Sequence, residues 1–153
     1  EETAGLWIYL ACQDAKGEVL NTSNDPKELP LVDHAYNTTD SDYRRFKIAW
    51  EFCHDLLRTS SFIEYKARSL MNVNQLKEVL AKGINSANHQ VGTCKMGPAR
   101  DNTTVVDSRL QVHGISGLMV ADASIFPEHI LHNPNFTCMV IGEIAADIVT
   151  GKF

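Results

Sequence analysis

The feature that most limits how this chain can fold is a change of texture near Ser86. Over about 40–85, apolar residues recur at three- and four-residue spacing, the mark of helices that bury one face. After Ser86, glycines and small residues crowd together, as in His89-Gln90-Val91-Gly92-Thr93-Cys94-Lys95-Met96-Gly97-Pro98. Short extended pieces with close main-chain approach are expected there. The two textures together predict an α+β protein. With 153 residues, 44% apolar and 22% charged, the chain has the makeup of one soluble globular unit and excludes a disordered tail or a collagen-like strand.

Charge and hydropathy narrow the function classes. A net charge of -5 argues against a surface that neutralises nucleic-acid phosphates or anionic lipid. The densest apolar runs, Ile115 to Phe126 and Phe136 to Val149, are broken by Asp122, Ser124, Glu143 and Asp147. They fall short of the ~20 apolar residues that a spanning helix needs, so membrane insertion is not expected. Cys12, Cys53, Cys94 and Cys138 stand singly and read as free thiols. Four Asn-x-Ser/Thr triplets, at Asn21, Asn37, Asn102 and Asn135, arise easily by chance in a chain rich in Asn and Thr and carry no signal of compartment. The start, Glu1-Glu2-Thr3-Ala4, has no Met and no basic leader, and reads as a cut end.

Along the chain, strands are expected over about 6–22, with Leu6 to Cys12 and Glu18-Val19-Leu20 joined by a turn at Asp14-Ala15-Lys16-Gly17. Prolines at positions 26 and 30 predict an irregular crossing over about 22–37. Thr39-Asp40-Ser41-Asp42 supplies capping chemistry for a helix over about 40–58, whose buried face carries Phe46, Ala49, Trp50, Cys53, Leu56 and Leu57. Its acidic residues between Asp40 and Asp55 read as a solvated face. Further helices are expected over about 61–68 and 74–85, the latter with Leu76, Val79, Leu80 and Ile84 inward. Brief strands are expected at Val105 to Asp107 and Leu110 to Val112, and a buried one from Leu118 to Asp122. Pro134 suits the first turn of a last helix, with Met139, Ile141, Ile144, Ala145 and Ile148 facing the core and Gly151 as its stop.

Three segments in fixed order then carry a resemblance: His89 to Gly97, Val106-Asp107-Ser108-Arg109-Leu110-Gln111-Val112-His113-Gly114, and Val120-Ala121-Asp122-Ala123-Ser124-Ile125-Phe126-Pro127 followed by Asn133-Pro134-Asn135. Together with Ile141-Gly142-Glu143-Ile144-Ala145-Ala146-Asp147, they resemble the C-terminal signature of the glucose-methanol-choline (GMC) oxidoreductases, FAD enzymes that oxidise alcohols. Gly17 to Pro30 is similar, more loosely, to the start of that family's substrate-binding sheet. The resemblance implies that residues 1–86 form part of the substrate-binding domain. Residues 87–153 then form a catalytic and flavin-proximal segment, with the C-terminal strand and helix of the FAD domain. It further implies catalytic roles for His89 and Asn133, or for His132 if the register shifts by one. Asp122 and Ala123 would lie near the ribityl and phosphate part of FAD, and Pro134 and Asn135 near the flavin ring. Gln90 and Asn88 depart from the common family residues.

The chemistry suits the residue types. Alcohol oxidation needs a base at the hydroxyl, and a neutral imidazole such as that of His89 accepts a proton at physiological pH. An amide cannot compete for that proton and serves as a donor to the substrate oxygen, the part expected of Asn133. Asn133 before Pro134 also reads as an ordinary helix cap, and Asp122 as a turn cap. His129 and His132, three apart, lack companions at ligand spacing, so no metal is expected. His34, His54 and His113 read as surface or core residues. No G-x-G-x-x-G occurs, so the FAD phosphates have no glycine cradle here; the expected partners are a small alcohol and the rest of a flavoenzyme chain, without which FAD should not bind. Two other readings stay open: a hydroxynitrile-lyase-type relative with structural FAD, and a stand-alone binding module.

Overall fold

The computed structural model describes residues 5–36, 38–67, 69 and 71–153. It divides into two compact units, Glu1–Ser86 and Ala87–Phe153. Helices and one small antiparallel sheet make an α+β protein. Asn37 and the expected helix end at Arg68 lie outside the described residues.

In the first unit, β1 (Glu18–Leu20) pairs antiparallel with β2 (Leu31–Asp33), in the register Glu18 to Asp33, Val19 to Val32 and Leu20 to Leu31. This corrects the expected hairpin. Leu6 to Cys12 takes no regular structure, and β1 finds its partner inside the stretch read as an irregular crossing. The reason lies in α1 (Asp40–Leu56). The N–H groups of Asp14 and Ala15, which a hairpin turn would use, donate instead to the Asp42 carboxylate at 2.9 Å each. The Cys12 carbonyl accepts from Arg45 of the same helix. Main-chain groups committed to a helix are lost to a strand ladder. Gly17 allows the approach to β2, since a Cβ there would fall 1.9 Å from the Asp33 carbonyl oxygen.

Thr39 caps α1 by accepting from Asp42 N–H at 3.2 Å. The inward face runs through Phe46, Ala49, Trp50, Cys53, Leu56 and Leu57, all half-buried, while Ile48 and Phe52 point outward. Asp42 departs from the solvated acidic face: it is 1% exposed. Burial raises its pKa, but the amides of Asp14 and Ala15, with Thr39 and Arg45, outweigh that and hold it below the ordinary carboxylate value. Following α1 are α2 (Ser60–Glu64), shorter than expected, and α3 (Leu76–Gly83). A 3-10 turn, Val73–Gln75, precedes α3 and is closed by a capping box between Asn72 and Gln75. The Trp50 indole N–H donates to the Val73 carbonyl at 2.9 Å, tying α1 to that turn. Leu76 and Leu80 of α3 are buried.

The second unit packs around Val106, Leu110, Ile125, Phe126 and Ile141. The expected strands shrink to isolated bridges, Met96 to Val106, Val106 to Val112 and Gln111 to Met119. Positive φ at Leu110, Gly114 and Gly117 turns the chain before any ladder can extend. Leu118 is exposed, and the expected buried strand ending on Asp122 is instead a bridge at Met119 leading to a 3-10 turn, Ala123–Ile125. The last helix, α4, spans Asn135–Val149. It buries Ile141 and packs Cys138, Ala145 and Ile148 on the core. Met139 and Ile144, expected inward, are 64% and 39% exposed: the helix is apolar on more than one side, so spacing alone does not pick out the residues that face the core. Gly151, at φ +73°, ends α4, with Gly151 N–H donating to Ile148 and Lys152 N–H to Asp147, a Schellman motif. None of the four cysteines is in a disulfide. Among the described residues no helix is long and apolar enough to cross a membrane.

Candidate active site

His89 lies half-buried at the start of an extended segment. Asn88, just before it, has φ +60°, a left-handed turn that Asn accepts better than a bulky or branched residue. The segment then runs beside the 3-10 turn of the second unit. The N–H groups of Gly92, Cys94 and Met96 donate to the carbonyls of Ala123, Ser124 and Ile125 at 3.3, 2.8 and 2.8 Å. Two glycines permit this packing. Gly92 has φ +87° and approaches the Phe126 carbonyl, and a Cβ on Gly97 would fall 2.4 Å from Thr104 Cγ2. Nε2 of His113 faces the Gly97 carbonyl at 3.1 Å and Thr104 Oγ1 at 3.4 Å, holding the far end of the segment.

Asp122 N-caps the 3-10 turn, accepting from Ser124 N–H at 2.8 Å and from the Ser124 hydroxyl. This is the turn-capping role, and the carboxylate is exposed. Its neighbour Ala123 is half-buried and accepts from Gly92. The structure therefore joins the segment that begins at His89 to the Asp122–Phe126 segment through main-chain bonds.

At the entrance to α4, Asn133 is exposed and does not cap the helix. Pro134 is buried, holds helical dihedrals (φ -73°, ψ -10°) and accepts from Cys138 N–H at 2.9 Å. Asn135 is the first helical residue and is exposed. His132 is exposed, with Nδ1 3.1 Å from the Asn133 carbonyl. His129, considered from sequence only as a metal ligand with His132, directs both ring nitrogens at carbonyls: Nε2 is 2.9 Å from that of His89 and Nδ1 2.6 Å from that of Ile130. A lone His followed by Ile and Leu carries no periodic or motif signal, so this link was invisible in the sequence.

A family model described as GMC oxidoreductase matches residues 13–142. The chain belongs to the GMC oxidoreductase family. GMC relatives found by sequence include the oxygen-dependent choline dehydrogenase of Escherichia coli O157:H7 (strain EC4115 / EHEC), 34% identical over 144 residues, which cover 90% of this chain and 25% of that protein. The chain thus spans about a quarter of the length of the curated relatives it matches. Among solved structures, an FAD-dependent oxidoreductase from Chaetomium thermophilum superposes with a TM-score of 0.76 at 26% identity, covering 89% of this chain and 24% of that one. A fungal aryl-alcohol oxidase gives 0.74 at 26% identity, covering 89% and 23%.

The GMC family implies FAD, and α4 offers chemistry that fits part of it. No side chain among the described residues caps the α4 N-terminus, and its first turn carries no acidic residue. Its leading N–H groups are thus donors at the positive end of a helix dipole, suited to an anionic ring edge.

Proposed function

We propose that this chain is the catalytic C-terminal portion of an FAD-dependent GMC enzyme that oxidises a small alcohol. His89 is its base and Asn133 the donor that holds the substrate oxygen. Residues 1–86 contribute to the substrate-binding domain; residues 87–153 carry the reacting groups and border the flavin. Family membership over residues 13–142 supports the class. One observation carries the assignment to residues: the segment led by His89 is bonded, through Gly92, Cys94 and Met96, to the turn that opens at Asp122. Its entry is thereby fixed rather than left as a free loop.

The imidazole of His89 takes the hydroxyl proton, and its positive charge then favours negative charge developing close by. Asn133 donates an amide N–H to the oxygen without accepting the proton itself. FAD, when bound, supplies the hydride acceptor. Asp122 and Ala123 would border its ribityl and phosphate part, while Pro134 and Asn135 set the α4 N-terminus beside the ring. The rest of the flavoenzyme chain holds the phosphates.

Anaerobic mixing of the full-length holoenzyme with choline, the alcohol named for the sequence relatives, and with short primary and aryl alcohols tests the reading. The expected outcome is bleaching of the oxidised flavin spectrum by at least one of them, with one aldehyde formed per flavin. A flavin that stays oxidised while the enzyme cleaves a hydroxynitrile would replace alcohol oxidation with lyase chemistry.

A further inference from the structure

We propose that His129 is a positioning residue that fixes the main chain of His89. The inference deepens the reading above and rests on His89 as the base. His129 belongs to the loop between the 3-10 turn and Asn133, and its Nε2 lies 2.9 Å from the His89 carbonyl oxygen, 40 residues away in sequence. A carbonyl only accepts, so the ring must donate there. The other ring nitrogen, Nδ1, faces the Ile130 carbonyl at 2.6 Å. A neutral imidazole carries one N–H, and in the tautomer with that proton on Nε2 the bond goes to the His89 carbonyl.

The bond completes a pattern. Residues 92, 94 and 96 are tied in turn to residues 123, 124 and 125, which fixes the segment downstream of His89. Upstream, the left-handed Asn88 turns the chain sharply. The carbonyl of His89 lies three residues before Gly92, and His129 supplies its donor. The same ring joins His89 to the loop that leads, four residues on, to Asn133. One side chain thus couples the base to the segment carrying the oxygen donor. A misplacement of about 1 Å at a reacting group costs on the order of 10²-fold in rate.

The test uses the full-length holoenzyme. His129→Phe keeps a planar ring and removes the N–H donor; His129→Gln restores one. His129→Phe should lower kcat by roughly 10- to 100-fold at unchanged FAD content, and His129→Gln should recover most of the loss. Placed in a His89→Ala background, His129→Phe should cost no further activity, because a residue acting only through His89 has nothing left to position. Unchanged kcat in His129→Phe overturns the proposal, as does an equal loss with and without His89. If His89→Ala alone keeps full turnover, the role of His89 as base fails first, and that result is distinct from the other two.

Discussion

The main chain of Gly92 lies so close to Phe126 that a Cβ on Gly92 would sit 3.3 Å from the Phe126 carbonyl oxygen. With φ at +87°, Gly92 also occupies backbone space that side-chain-bearing residues avoid. Gly92→Ala should therefore cost about 1–2 kcal/mol from the left-handed conformation alone, with the Phe126 contact added to it. Gly114 supplies the control: its φ is +74° and nothing lies within 4 Å of a Cβ there. Both alanine variants should lower the denaturant midpoint. Only Gly92→Ala should also lower turnover of the holoenzyme, since it displaces the segment that begins at His89.

Asp42 should act as an acid-sensitive clamp on the segment that includes Ala15. Its carboxylate accepts from Asp14 and Ala15 and pairs with Arg45. Asp42→Ala leaves two N–H groups without that acceptor, so a loss of about 2–4 kcal/mol is expected. The pKa of Asp42 is lowered in the folded state. Its contribution is accordingly full above the ordinary carboxylate range, near pH ~4, and disappears as pH falls through that range towards the lowered native value. Amide exchange at Asp14 and Ala15 should accelerate over that acid window in the native protein and become insensitive to it in Asp42→Asn.

Much of this architecture was legible because it rests on local rules. The inward face of α1, the capping by Thr39 and the stop at Gly151 all follow from spacing and cap chemistry within one element. What misled was long-range. Nothing near Asp42 shows that its carboxylate will capture Asp14 and Ala15, which redirects β1 to pair with Leu31–Asp33. Likewise, the order of motifs marked His89 and Asn133, whereas His129 became visible only when folding brought it to a carbonyl 40 residues distant. Periodicity also failed on α4, which is apolar on more than one side, so no single stripe identifies the core face. Phe136, Met139 and Val149 are exposed while Ile141 is buried.

Gly142 lies within α4, and nothing stands within 4 Å of a Cβ placed on it. A glycine inside a helix costs about 0.5–1 kcal/mol relative to alanine. Gly142→Ala should therefore stabilise the 153-residue chain by that amount in a urea titration. Repeating the substitution in a full-length enzyme reads the environment of the same position there. A gain that turns into a loss would show that main chain from the rest of the protein packs against this face.

The kinetic variants of His89 and Asn133 should differ in kind. Removing a base from His89→Ala should reduce kcat by roughly 10²- to 10⁴-fold. The loss should be partly relieved by added imidazole, because a diffusible base can enter the space vacated by the ring. Asn133→Ala removes a neutral donor to the substrate oxygen, and about a 10²-fold loss is expected, in line with the loss of one donor to developing negative charge. Imidazole should not restore it, since the missing group is a positioned N–H rather than a proton acceptor. His132→Ala is the companion control: the exposed ring of His132 lies against the Asn133 carbonyl. If His132→Ala shows the larger loss and responds to imidazole while Asn133→Ala stays active, the catalytic register moves by one residue and the second group at the site is a histidine.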